Sequence, residues 1–369
     1  MKTNLPSLLI WLVLLAGVHQ TAAQVANLGI AAAPGGESVL YWPVSTTNYV
    51  LQTVTNLTST NWLTSRTAFA VNSAEVTNAD PSGFFRLQPV TIPAGMALIP
   101  AGWFTMGDPL DGESDAIPTN IYVSAFVMDV NLVNYGLWTN VYAYATSHSY
   151  NFVNAGQNGY PIGTGTNYPV STVDWFDCVK WCNARSQQAG LAPVYYTDAG
   201  FTQVFTSGDN GTTVYQNLSA NGYRLPLEAE WEKAARGGGI GRRFPWGNLI
   251  HTDQAQYHSL WGTSFAPSYD LGPANFPGGP TPVGSFDVNG YGLYDMAGNE
   301  LEWCWDWYGA IYGQPSPINP TGAGSGSGYR VLRGFSWNSP ALNMSCASRV
   351  YSDPAFANGT IGFRCVRGL

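Results

Sequence analysis

Residues 289–299 read Asn289-Gly290-Tyr291-Gly292-Leu293-Tyr294-Asp295-Met296-Ala297-Gly298-Asn299. Asn, Gly and Asp dominate the stretch. A fold with few helices and strands needs these residues, because its backbone N–H and C=O groups must be satisfied by turns, side chains and ions. The pattern continues outward in both directions. Upstream lie Met96-Ala97-Leu98-Ile99-Pro100-Ala101-Gly102-Trp103-Phe104-Thr105-Met106-Gly107, Tyr168-Pro169-Val170-Ser171-Thr172-Val173-Asp174-Trp175, Tyr223-Arg224-Leu225-Pro226-Leu227-Glu228-Ala229-Glu230-Trp231-Glu232, Phe244-Pro245-Trp246-Gly247-Asn248 and Thr281-Pro282-Val283-Gly284. Downstream lie Glu302-Trp303, Asp306-Trp307, Arg333-Gly334-Phe335-Ser336-Trp337 and Ile361-Gly362-Phe363-Arg364-Cys365.

Composition agrees with a loop-rich globular chain. The 369 residues allow two domains, and a 45% hydrophobic content excludes a disordered polymer. Charged residues are only 10%, while aromatics reach 14% beside 42 Gly and 24 Pro, so loops pinned by aromatic side chains are expected rather than a helical bundle. The net charge of −8 and the scatter of the 15 Lys and Arg exclude phosphate backbones, and hence nucleic acid, as partners.

The N-terminus reads as a secretory signal over residues 1–23: Lys2, then apolar Leu8 to Val18, then the small residues Thr21-Ala22-Ala23 before Gln24. Its apolar run is short for a bilayer, the alternative being an uncleaved anchor helix. No later segment has the length of a transmembrane span, so the mature chain is expected in a secreted, periplasmic or cell-envelope location.

Residues 24–91 read as a small β-rich module, with strands at Ser38–Trp42, Tyr49–Val54 and Phe84–Leu87 from their β-branched and aromatic content. A linker at Thr91-Ile92-Pro93-Ala94-Gly95 leads into a second domain over 92–369. There, short strands at Ala97–Pro100 and Ile121–Ser124 alternate with long loops. Two helices are expected. One is N-capped by Asp174 and runs towards Arg185. The other has Pro226 at its first position, Glu228 and Glu230 in the first turn, and Gly237-Gly238-Gly239 as its stop.

The ordered motifs from Met96 to Cys365 resemble the formylglycine-generating enzyme, or sulfatase-modifying factor, family. The resemblance implies an α+β domain of irregular formylglycine-generating-enzyme type, a relative of C-type-lectin-like folds, with calcium in its loops. Trp231, Trp246, Trp303 and Trp307 are then expected as core and loop pins. Aerobic enzymes of this family oxidise a substrate cysteine, within a Cys-x-Pro-x-Arg pattern, using copper(I) held by two cysteines. The first of these positions is Ser339 here, and the segment that should carry the second is shortened and has none. A soft d10 ion wants two thiolates, and neither a serine hydroxyl nor the Met344 thioether replaces them. Copper is therefore not expected.

For the five cysteines, Cys178, Cys182, Cys304, Cys346 and Cys365, an oxidising compartment implies some pairing and an odd thiol left over. The resemblance pairs Cys182 with Cys365. It places the family partner of Cys346 at Ala235, leaving Cys304–Cys346 as a substitute pair and Cys178 as a buried thiol. It also implies two calcium sites: Asp295, Met296, Gly298 and Glu300 in one, and Ser259, Leu260, Asn275 and Pro277 in the other. Asp295 supplies a hard anionic oxygen suited to calcium, the alternative being a carboxylate that caps its own turn. No nucleophile elbow or phosphate loop is present. The functional expectation is a non-oxidase that binds a protein, peptide or glycan. The alternatives are a copper-dependent formylglycine-generating oxidase and a structural envelope protein.

Overall fold

The computed structural model describes residues 29–32, 38–41, 48–54, 63–64, 73–76, 84–274, 276–309, 317–323 and 327–369. The expected signal segment at 1–23 and Asn275 lie outside them. The chain divides into two compact units, Met1–Pro93 with Pro100–Gly102 and Ala94–Ile99 with Trp103–Leu369.

The first unit carries six strands: β1 (Gly29–Ala32), β2 (Ser38–Tyr41), β3 (Asn48–Val54), β4 (Leu63–Thr64), β5 (Ser73–Val76) and β6 (Phe84–Val90). They form two antiparallel three-stranded sheets, ordered β1-β2-β5 and β4-β3-β6. β2, β3 and β6 are the strands legible from sequence.

In the second unit regular structure is sparse. The strands are β7 (Met96–Ile99), β8 (Gly102–Met106), β9 (Thr119–Val123), β10 (Phe126–Asp129), β11 (Gln157–Asn158), β12 (Val170–Ser171), β13 (Tyr195–Tyr196), β14 (Tyr215–Gln216), β15 (Leu301–Trp307), β16 (Arg330–Arg333), β17 (Val350–Ser352), β18 (Ile361–Gly362) and β19 (Val366–Gly368). The largest sheet has the order β17-β16-β15-β18, with β15 and β18 parallel and the other pairs antiparallel. A three-stranded sheet, β19-β10-β7, brings the end of the chain back against the start of the domain.

Three helices complete it: α1 (Tyr135–Ser147), α2 (Trp175–Gln188) and α3 (Glu228–Ala235). Helix α2 begins as the sequence indicates, with the Asp174 carboxylate accepting the Asp177 N–H at 2.7 Å. Helix α3 begins two residues later than expected: Leu227 is the N-cap, so Pro226 precedes the helix. Leu227 has no polar side chain with which to cap. Instead Glu230 reaches back to accept the Leu227 N–H at 2.8 Å. Helix α1 was not expected. Its run of Tyr, Trp, Val and Thr favours a strand by local preference. It is helical because the Asn134 side chain caps it at the Leu137 N–H, 2.8 Å, and because Trp138 stacks on Trp181 of α2 at 5.7 Å with Phe363 edge-on to both.

The quoted motifs are the places where distant segments are tied together. The α3 carboxylates are the hub. Glu230 forms a two-bond pair with Arg224, at 2.6 and 2.7 Å. Glu228 accepts from Arg349 at 2.6 and 2.8 Å, and Glu232 accepts from Arg236 and from Arg333 of β16. Glu302 of β15 accepts from Arg364, at 2.8 Å, and from the Trp231 indole, at 2.9 Å. The Trp303 indole donates to the Val173 carbonyl, and Asn289 donates to the Ala234 and Ala235 carbonyls at the end of α3. With so few ladders, side chains do the work of satisfying backbone groups.

Candidate functional site

The position where the family resemblance calls for a copper-binding cysteine follows strand β16. Gly334 has a φ of 82°, and an added Cβ would meet the Trp231 ring at 3.1 Å, so the chain needs glycine to pass over that indole. Phe335 also has positive φ, 57°, and the backbone then turns sharply through Ser336–Ser339. The Ser339 N–H donates to the Ser336 carbonyl at 2.9 Å, and the two hydroxyls lie 3.3 Å apart. Among the described residues, the hydrogen-bond partners of the Ser339 hydroxyl belong to Ser336.

Residues 289–299 hold this turn in place. Gly298 donates to the Gly334 carbonyl at 2.8 Å, and Trp337 donates to the Asn299 carbonyl at 3.0 Å. His258 donates to the Ser339 carbonyl at 2.9 Å. Gly298, at φ 79°, is required as well, since a Cβ there would fall 2.2 Å from the Gln256 carbonyl oxygen. The turn is flanked by His258 edge-on to Phe276 at 4.8 Å and by Trp337.

The thiols are elsewhere. All five cysteines are buried and free. Cys304 and Cys346 sit in the apolar core with Trp231, Val331 and Val366. Burial pushes the Cys178, Cys182 and Cys304 thiols well above their ordinary range, and Cys346 up to about 12, so each stays protonated at neutral pH. Cys182 of α2 and Cys365 meet at 3.6 Å, brought together as expected but as two thiols rather than a disulfide. The Cys304–Cys346 bridge is likewise not formed.

The turn at Asp295–Glu300 holds buried oxygens that lack partners. Asp295 has a φ of 55°; one carboxylate oxygen accepts the Gly284 N–H at 2.9 Å, and the other has no hydrogen bond among the described residues. Both carboxylate oxygens of fully buried Glu300 also lack a hydrogen-bond partner among the described residues. Burial pushes the Asp295 carboxyl up to about 6 and Glu300 well above its ordinary value. No cluster of three or more His, Cys, Asp or Glu side chains arranged for a metal occurs among the described residues. An ion here would therefore draw on backbone carbonyls such as those of Met296 and Gly298 beside the two carboxylates, a donor set of hard oxygens that fits calcium.

Of the second expected calcium set, Ser259 and Leu260 belong to a loop closed on Asp270. The Ser259 hydroxyl donates to Asp270, at 2.9 Å, and to the Gly272 carbonyl, at 3.1 Å. The Leu260 N–H and the Tyr257 hydroxyl also donate to Asp270, at 2.8 and 2.7 Å. Asp270 and Gly272 thus close this loop with Ser259 and Leu260, and three donors already satisfy the carboxylate. Sequence reasoning missed Asp270; an acidic residue eleven positions after Ser259 was the available signal.

A profile for the domain described as sulfatase-modifying factor enzyme 1-like matches residues 81–369. The chain belongs to this sulfatase-modifying factor family. Relatives include the formylglycine-generating enzyme of Bos taurus, 33% identical over 287 residues covering 74% of each chain. The formylglycine-generating enzyme of Streptomyces coelicolor is 30% identical over 294 residues, covering 73% of this chain and 88% of its own. Among solved structures, CarF superposes with a TM-score of 0.58 at 28% identity, covering 75% of this chain and 99% of its own. The irregular α+β architecture is thus that of the sulfatase-modifying factor fold.

Proposed function

We propose that this sulfatase-modifying factor domain is an exported, calcium-holding binding protein and not a cysteine oxidase. One observation carries the reading: the turn after β16 presents two serine hydroxyls, Ser336 and Ser339, while all five thiols are buried. Copper(I) needs soft anionic donors, and these hydroxyls do not fit it. The alternative, a formylglycine-generating oxidase, draws on the names of relatives at 30–33% identity. Export rests on residues 1–23, and no helix of the described residues is long and apolar enough to cross a membrane.

The deciding experiment is a copper(I) titration of the purified chain, followed by oxygen uptake with a peptide containing Cys-x-Pro-x-Arg. No stoichiometric copper binding and no uptake above the peptide blank are expected. Turnover would establish the oxidase instead.

If the chain is exported to an oxidising compartment, Cys182 and Cys365 close to a disulfide, giving two electrons and two protons to an oxidant. The bridge joins residues 183 apart in sequence and is expected to add about 2–4 kcal/mol. Non-reducing peptide mapping and melts with and without reductant check it; two alkylatable thiols at these positions in the exported protein would count against both bridge and export.

A further inference from the structure

Arg330 begins β16 and is 3% exposed. It pairs in register with Trp307 of β15. Its guanidinium lies 3.5 Å from the Trp307 ring centroid and 3.8 Å from that of Trp175, so an indole is stacked close to it on two sides. One terminal nitrogen donates to the Trp305 carbonyl, while Nε has no hydrogen-bond partner among the described residues.

The other buried arginines differ. Arg224, Arg236, Arg333, Arg349 and Arg364 each meet a carboxylate within salt-bridge distance. Arg330 meets none among the described residues. Burial lowers its pKa to about 9, with Asp306 opposing, so the cation persists at neutral pH. Burial, reinforced by Glu228, in turn pushes the Asp306 carboxyl up to about 8. A buried charge with no counter-ion is costly, and the indole faces and one carbonyl offset part of that cost. The other buried arginines of the described residues each have a carboxylate, so Arg330 is the one placed to take an anion from outside.

Arg330 also lines a cavity of about 380 Å³ that opens to solvent. Half-buried Trp305 and Trp307 give it apolar walls, and Asn210, Thr213 and Asp353 give it an exposed polar rim. Its size is at the small end for ligand pockets. Flat indole faces suit the C–H face of a sugar ring, the rim suits hydroxyls, and a guanidinium suits a planar carboxylate. We propose that this cavity is a binding site for a carboxylated pyranose, such as a uronic acid residue of an acidic glycan, with Arg330 holding the carboxylate and Trp307 the ring. The assignment rests on the binding reading above and gives it a place and a ligand class.

The test is calorimetric titration of the full chain with oligogalacturonate and with its methyl ester, which keeps the ring but removes the charge. Arg330→Met and Thr213→Trp are compared with the unaltered chain. Thr213 is exposed on the rim, so its replacement blocks the cavity without disturbing the core, and melting curves confirm that both variants fold. Binding of the acid, weakened at least tenfold by each substitution and by esterification, is the expected result. No binding of the acid to the unaltered chain overturns the assignment, as does binding that survives Thr213→Trp or treats acid and ester alike. Binding that survives both substitutions ends this pocket yet keeps a ligand-binding protein, whereas oxygen uptake with the cysteine peptide ends the binding reading.

Discussion

Glu232→Gln is expected to destabilise the domain by about 3–5 kcal/mol, the cost of breaking a buried ion pair by removing one partner. Glu232 is fully buried in α3. One oxygen accepts the Gly107 N–H at 2.7 Å and two Arg236 nitrogens at 3.0 and 2.7 Å, and the other accepts from Arg333. A glutamine keeps the shape but removes the charge between two buried guanidinium groups, and its amide nitrogen would face a donor. Denaturant melts of variant and parent check the loss; a change under 1 kcal/mol would mean that the α3 hub does not bind the motifs together. The pH dependence has a definite sign. Burial works to raise the Glu232 pKa, but Arg236, Arg333 and the Gly107 N–H outweigh it and hold the carboxyl below its ordinary 4.5. Its stabilisation is therefore present above that value and lost as pH falls through the lower, folded-state value. In the glutamine variant this part of the acid sensitivity disappears.

The second large effect concerns Glu300. If calcium is held at the 295–300 turn, chelation lowers the melting temperature of the parent. An ion present at a hundred times its dissociation constant contributes about 2.7 kcal/mol. Glu300→Gln is expected to abolish that difference. The metal-free variant should be no less stable than the metal-free parent, because the carboxylate it loses has no hydrogen-bonded partner among the described residues. Differential scanning calorimetry with calcium and with chelator decides it. Equal melting of the parent in both would leave Asp295 as a carboxylate that ties the turn to the Gly284 N–H without an ion.

Much of this was legible because the motifs carry their own structural reasons. Gly298 and Gly334 sit at positive φ, where a side chain strains the backbone; at Gly298 it would also collide with a carbonyl and at Gly334 crowd an indole. Trp231 and Trp303 were expected as pins, and each donates its indole N–H to a distant segment. Trp307 is different: it is half-buried at a cavity and stacked on Arg330, a role its sequence neighbourhood does not reveal. Helix α1 was hidden because its residues prefer strands locally, and only Trp181 and Phe363, far along the chain, make burying them as a helix favourable. Asp270 was not legible beside Ser259 because it approaches by the path of the intervening loop, which no spacing rule fixes.

The amino-acid order alone determined the family, the scarcity of regular structure, and the hydroxyl at position 339, because these follow from residue identity and from local turn chemistry. Tertiary structure decided which carboxylate each arginine meets, which buried oxygens lack a donor, and that Arg330 alone among the buried arginines of the described residues meets no carboxylate. Pairs such as Arg333 with Glu232 and Arg349 with Glu228 join segments 101 and 121 residues apart in sequence, and only the folded chain sets the distances between them.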